Sequence, residues 1–256
     1  HRFAEGVIRS RERMTYTDVA KILEESDPAA CRRYEALVEH FRVMEELAAI
    51  LNAKRRRRGT IDFDLPEPEI LLDLQGGTLG IAPARRNVAH RIIEEFMLAA
   101  NEAVAAHLFH LQVPSLYRVH ERPDPLKMGK LNELLSAFGH RLPEPYEAVE
   151  PSHFQEILDG MEGKPEFRFL SRAMLRAMKL ARYSAEKGIH FGLGSSTYTH
   201  FTSPIRRYPD LMVHRILREV LSGGRPPEDR REWLRRELPE IALQSSRTER
   251  TADDAE

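Results

Sequence analysis

Ile61-Asp62-Phe63-Asp64-Leu65 alternates apolar and polar residues at period two, and Ile70, Leu72 and Leu74 continue that alternation. The turn residues Gln75-Gly76-Gly77 then lead into a second extended run over 78–82, which predicts a β-hairpin. Helical periodicity flanks this hairpin on both sides. Upstream, Tyr34, Leu37, Val38, Phe41, Met44, Leu47, Ala48 and Leu51 recur at threes and fours, predicting one amphipathic helix over 32–55. Downstream, Ile92, Ile93, Phe96, Met97, Ala100 and Val104 predict a helix over 88–108 with those residues buried. A small, mostly antiparallel sheet packed among amphipathic helices makes the fold class α+β.

Further outward the elements shorten. Residues 7–10 read as a short strand, and Thr17 or Asp18 could cap a helix running through Leu23. Residues 114–125 read as loop, followed by a helix over 126–138 that Gly139 ends. Ser152 with Gln155 has the capping-box pattern, and a further helix spans 166–183. Residues 188–204 read as extended, Pro209 opens a helix to Leu221, and 246–256 read as helix without a stop signal. The chain opens His1-Arg2-Phe3, and both ends read as cut from a longer chain.

Composition narrows the function. Lys and Arg number 39 against 40 Asp and Glu, for a net charge of -1, so an anion site must be a local cluster. The single cysteine, Cys31, leaves no disulfide framework and no thiolate cluster for zinc. No apolar run approaches the roughly 18 residues that span a bilayer, so a cytoplasmic protein without membrane contact is expected.

The densest chemistry lies in Tyr198-Thr-His-Phe-Thr-Ser-Pro-Ile-Arg-Arg-Tyr-Pro-Asp210. Pro204 and Pro209 both disfavour helix at the residue before them, so the stretch between should be extended, with Arg206 and Tyr208 on one side and Ile205 and Arg207 on the other. Two fixed guanidinium groups at a helix entry suit a phosphate. The bland alternative is an arginine pair bridged to Asp210 and Glu219. Gly192-Leu-Gly-Ser-Ser196 matches no phosphate-loop pattern and reads as a turn, and His107 with His110 lack a third metal ligand. Arg55 to Arg58 could form an RNA patch or a solvated helix end. Of Glu94 and Glu95, Glu95 falls near the polar face, while Glu94 follows the apolar Ile93 and needs a partner.

Ser10-Arg-Glu-Arg-Met-Thr-Tyr16, Ile93-Glu-Glu-Phe-Met-Leu-Ala-Ala-Asn101, Tyr117-Arg-Val-His120, Gly188-Ile-His-Phe-Gly-Leu193, His200-Phe-Thr-Ser-Pro-Ile-Arg-Arg-Tyr-Pro-Asp-Leu211 and Val213-His-Arg215 occur in that order. Together they resemble the RNB-type catalytic domain of the ribonuclease II/ribonuclease R family, closer to the ribonuclease R branch. The resemblance implies a hydrolytic 3′-to-5′ exoribonuclease that degrades single-stranded RNA to nucleoside 5′-monophosphates. Carried over by position, it implies that Arg206 grips the scissile phosphate and that Glu249 lies near the terminal nucleotide. It likewise implies that Glu94 binds a ribose hydroxyl, Tyr16 touches a ribose near the 3′ end, and Phe63 stacks on terminal bases. Arg207 is the second expected phosphate contact.

One departure stands out. The family's Mg²⁺ site is a cluster of four aspartates upstream of the Tyr16 motif, and nothing here has that form: Asp62-Phe-Asp64 is misplaced, and Asp253-Asp254 lies past Glu249. Residues 1–256 are therefore expected to be the C-terminal portion of the catalytic domain, inactive alone, with no metal ligand of their own. The aspartate-bearing part and the cold-shock and S1 modules would lie on the rest of the same polypeptide. Two alternatives remain: a catalytically inactive relative that binds RNA 3′ ends, and a helical protein-interaction scaffold.

Overall fold

The computed structural model describes residues 1–63, 68–72, 75, 77–83 and 86–255. Of the expected alternation, Asp64, Leu65 and Leu74 lie outside the described residues, and Ile61, Asp62 and Phe63 form no strand. Three helices come first: α1 (Tyr16–Leu23), α2 (Pro28–Arg33) and α3 (Glu35–Arg57). Thr15, rather than Thr17 or Asp18, caps α1, its Oγ1 accepting the Asp18 N–H at 3.1 Å. The single helix expected over 32–55 is divided at Tyr34, whose backbone (φ -115°, ψ 27°) leaves the helical region. Tyr34 is buried against Ile22 and Ala30, so tertiary packing holds the break that periodicity cannot see.

The hairpin forms as expected, β1 (Pro68–Leu72) pairing antiparallel with β2 (Thr78–Pro83), with a register shift between Leu71 and Leu72. Helix α4 (Val88–His110) follows, capped by Asn87, whose side chain accepts the His90 N–H. Two three-residue strands then pair across a long stretch of chain, β3 (Tyr117–Val119) against β4 (Arg182–Ser184). Between them run α5 (Pro125–Ser136), α6 (Pro151–Met161) and α7 (Phe167–Ala177). The chain ends on α8 (Tyr208–Gly223) and α9 (Glu228–Asp253).

Several expectations are corrected. Residues 7–10 form no strand: Val7 and Ile8 are exposed, and among the described residues no neighbouring strand offers a ladder. The 114–125 loop contains β3, and the helix expected over 166–183 stops at Ala177 to let β4 form. Helix α6 starts two residues early, with His153 Nδ1 accepting the Glu150 N–H, while Gln155 instead accepts the Asp62 N–H. The final helix is 26 residues long and tolerates Pro239 in its interior.

Two cores divide the burial. One joins α5, α6 and α7 around Met128, Phe154, Met161, Leu170 and Met174, and Phe191 and Ile61 close it. The other joins α4, α8 and α9 through Val104, Leu108, Val213, Ile216, Leu234 and Leu238, with Leu116 and Tyr183 of the β3–β4 region inside it. Along α9 the buried positions Leu234, Leu238, Ala242 and Ser246 recur every fourth residue, which lays one stripe against β4 and α8. At Gly194 the backbone has φ +55°, and a Cβ would meet the Arg58 carbonyl oxygen at 3.0 Å, so this glycine lets the 190–196 turn close on the end of α3. Among the described residues no helix is long and apolar enough to cross a membrane.

Candidate nucleic-acid site

The segment between the two prolines is a turn, not an extended strand. The N–H groups of Arg206 and Arg207 both point to the Ser203 carbonyl, at 3.3 and 3.0 Å. Pro204 supplies the fixed φ that suits the second position of such a turn as well as it suits a strand, so the proline alone could not decide. Asp210, fully buried in the first turn of α8, locks the loop: its Oδ1 accepts from the Ser203 N–H at 2.8 Å and from Arg207 Nη2 at 2.7 Å. The two arginines thus part ways. Arg207 is committed to Asp210, whereas Arg206 is exposed and has no carboxylate partner among the described residues. Glu219, the other partner considered for the pair, binds Arg230 instead.

Beneath this turn lies a web of aromatic and histidine side chains. Tyr198 hydroxyl accepts from Asn101 Nδ2 at 2.9 Å, and Asn101 Oδ1 accepts the Phe201 N–H at 2.9 Å. His214 stacks on Phe201 and bonds its carbonyl at 2.8 Å. Tyr183 hydroxyl and His200 Nδ1 share a hydrogen bond of 2.8 Å. Burial first, and then the positive charges of Arg207 and Arg118, push His200 down to about 2. Burial, with His120 and Arg118, takes His190 down to about 3, and burial raises Tyr183 to about 12. All three are therefore neutral near pH 7, so the positive charge of this region comes from its arginines.

Glu249 sits on α9, where Arg118 Nη1 of β3 meets its Oε2 at 2.6 Å. Among the described residues its Oε1 has no hydrogen-bond partner.

A second group gathers at the start of α4. Tyr16 stacks on His90 with ring centroids 4.0 Å apart, and its hydroxyl-bearing ring is half exposed. Glu94 lies one helical turn beyond His90, on the same side of α4. Arg86 pairs with Glu94 and stands 3.7 Å from Asp62, the neighbour of Phe63. Phe63 is partly buried against the α5–α7 core. A cavity of about 580 Å³ opens here, its wall including Asp62, Arg86, Glu94, Gln155 and Phe167. The structure thus brings Tyr16, Glu94 and Phe63 to one neighbourhood. The turn bearing Arg206 and Arg207 joins it through α4, because Asn101 stands two turns, or about 10 Å, beyond Glu94.

Glu94 has the partner it needs in Arg86, but Glu95 does not lie on the polar face. Glu95 is buried at 5% exposure and takes a forked pair from Arg55, at 2.6 Å from Nη2 and 3.1 Å from Nε, while Asn52 Nδ2 donates at 2.8 Å. Glu94 is the more exposed of the two. Arg58 likewise pairs with Glu102 at 2.7 Å, so two of the four arginines bind α4, while Arg56 and Arg57 stay exposed at the end of α3. Sequence reading missed Arg118, Tyr183, His200 and Asn101 as site-building residues, although all but Tyr183 lie inside a motif singled out above. Among the described residues no group of three or more His, Cys, Asp or Glu could hold a metal, so the residues present do not fit a Mg²⁺ centre by themselves.

Comparison with known proteins gives one family, the RNB domain, over residues 1–223. Ribonuclease R of Aquifex aeolicus is 46% identical over 252 residues, which cover 98% of this chain and 35% of that protein. The chain therefore spans about a third of the length of the curated relatives it matches. Among solved structures, Mycoplasma genitalium RNase R in complex with ribose methylated single-stranded RNA superposes with a TM-score of 0.84 at 32% identity, covering 91% of this chain and 36% of that one. Yeast Ssd1, a pseudonuclease, shares the fold with a TM-score of 0.61 at 19% identity, over 89% of this chain and 28% of its own.

Proposed function

The chain belongs to the RNB domain family, and on that premise we propose that it is the C-terminal portion of the catalytic domain of a 3′-to-5′ exoribonuclease. Its reaction is hydrolysis of single-stranded RNA to nucleoside 5′-monophosphates, in the cytoplasm. The observation that carries the reading is Arg206, exposed and, among the described residues, without a carboxylate partner, on a turn that buried Asp210 holds rigid. An unpaired guanidinium on a braced backbone is preorganised for a phosphate, and its planar fork can follow the charge that develops on the phosphoryl oxygens. Arg207, tied to Asp210, holds the turn and adds its charge to the phosphate site.

Each remaining residue has a role that its surroundings support. Tyr16, half exposed on His90, presents a hydroxyl that can donate to or accept from a ribose. Glu94 can accept from a ribose hydroxyl once Arg86 shares it. Phe63, at the edge of the core, offers a ring for a terminal base. Glu249 presents Oε1 toward the terminal nucleotide. Magnesium, when bound, would supply Lewis-acid chemistry, and its aspartate ligands belong on polypeptide outside these residues, together with cold-shock and S1 modules. The 256 residues alone are then expected to bind RNA without cleaving it.

The second reading, a non-catalytic binder of RNA 3′ ends, is favoured by one observation: a pseudonuclease shares this fold. Turnover separates the two. In the complete polypeptide with Mg²⁺, Arg206→Ala should lower kcat on labelled oligo(A) by about 10²–10³ with a smaller loss of affinity, and Arg206→Lys should recover only part. Unchanged kcat with weaker binding would reduce Arg206 to a phosphate anchor. A wild-type polypeptide that binds oligo(A) and releases no mononucleotide would establish the second reading.

A further inference from the structure

Glu249 projects from the last turns of a long helix, where a glutamate left alone would sample many rotamers. Three contacts prevent this. Arg118 Nη1 holds Oε2 at 2.6 Å, and both side chains are largely withdrawn from solvent, at 13% and 30% exposure. The guanidinium is itself confined, lying over the Tyr183 ring at 4.6 Å, and Arg118 and Tyr183 are cross-strand partners in the β3–β4 ribbon. The Arg118 N–H bonds the Tyr198 carbonyl at 2.9 Å, which anchors its backbone to the segment leading to Arg206. The same ribbon grips α9 one turn earlier: Tyr183 N–H donates to Ser246 Oγ at 2.9 Å, and Ser246 is three residues before Glu249 on one helix face.

We propose that Arg118 is the positioning residue for Glu249, holding Oε2 so that Oε1 alone faces the terminal nucleotide. The assignment rests on the exoribonuclease reading and extends it. Arg118 reaches the reaction only through the carboxylate it orients, and Tyr183 links that pair through His200 to the segment carrying Arg206. A merely structural Arg118 would tie α9 to the ribbon through this same pair, and its loss would then lower the melting temperature and raise KM along with lowering kcat.

A double-mutant cycle in the complete polypeptide, with single-turnover cleavage of oligo(A), distinguishes these roles. Arg118→Met should lower kcat by about 10²-fold with KM nearly unchanged, since a small misplacement of a reacting group costs that much. Arg118→Lys, which keeps the charge without the fork, should recover part of the rate and reads the same effect should the Met variant fold poorly. In a Glu249→Gln background, Arg118→Met should cost less than about 3-fold more, because residues acting as a unit are non-additive. Losses that multiply across the cycle would overturn the assignment while leaving the exoribonuclease reading intact. A wild type that binds but does not cleave would remove both.

Discussion

Replacing Glu95 by alanine should damage folding far more than any change at Glu94, its neighbour. Arg55 and Glu95 are 8% and 5% exposed, and the carboxylate takes three short donors from Arg55 and Asn52. Removing the carboxylate strands a buried guanidinium, a loss of about 3–5 kcal/mol. For a chain of this length, 1 kcal/mol moves the melting temperature by roughly 2–4 °C, so Glu95→Ala should melt about 6–20 °C early. Arg55→Met with Glu95→Leu removes both charges and fills the space, and should recover most of that loss. Glu94→Gln touches a side chain 36% exposed to solvent, where an ion pair contributes about 0–1 kcal/mol. Thermal melts of the three variants and the wild type by circular dichroism decide the matter. A Glu95→Ala protein melting within 2 °C of wild type, on the scale set by that conversion, would refute the desolvated-pair argument. So would a double variant no better than the single one.

Tyr16→Phe with Glu94→Ala, in the complete polypeptide, should narrow the preference for RNA over DNA by slowing RNA cleavage, because the groups that would meet the 2′-OH are gone; matched ribo- and deoxyribo-oligomers in single-turnover assays test this, and an unchanged sugar preference would misplace the ribose site. Phe63→Ala should weaken both polymers by about 1–3 kcal/mol through lost stacking, read by filter binding. Acid should destabilise the fold through His190 and His200, whose pKa values are held at about 3 and about 2 in the folded chain. The unfolded chain takes up those protons first, so stability is full above about pH 6.5 and falls below it, by up to about 1.4 kcal/mol per pH unit for each histidine. Equal urea midpoints at pH 7 and pH 5 would contradict it.

What could be read in the sequence was local. The hairpin was visible because Gln75-Gly76-Gly77 interrupts two extended runs, and α4 because apolar residues recur at helical spacing from Ile92 to Val104. The Arg206-Arg207 motif singled out the right segment but left open which arginine is paired, and Asp210 takes Arg207. What could not be read depends on partners far along the chain. Which of two adjacent glutamates is buried was settled by Arg55, 40 residues upstream. Apolar periodicity pointed to the wrong one, because the buried face of α4 runs through Ile92, Glu95 and Asn101 rather than through Ile93 and Met97. The ribbon β3–β4 is three residues wide on each side, below the length at which alternation carries information, and its strands are far apart in sequence. The Arg118–Glu249 contact spans 131 residues, and nothing near either residue announces it. Pro204 was compatible with strand and turn alike, and Asp210 decided between them.

Helix α4 carries His90 under Tyr16, then Glu94, then Asn101 under the Arg206 segment, all on one unbroken rod. A helix neither stretches nor yields by degrees: each residue adds 1.5 Å of rise and 100° of rotation. The separation between Glu94 and the segment that carries Arg206 is therefore quantised. Inserting one residue between Glu94 and Asn101 would swing one group a quarter-turn out of line. Inserting four would restore direction to within about 40° while lengthening the span by about 6 Å, close to the reach of one more nucleotide. Loops can drift through many lengths as sequences diverge, but this gauge can change only in jumps, and almost every jump breaks it.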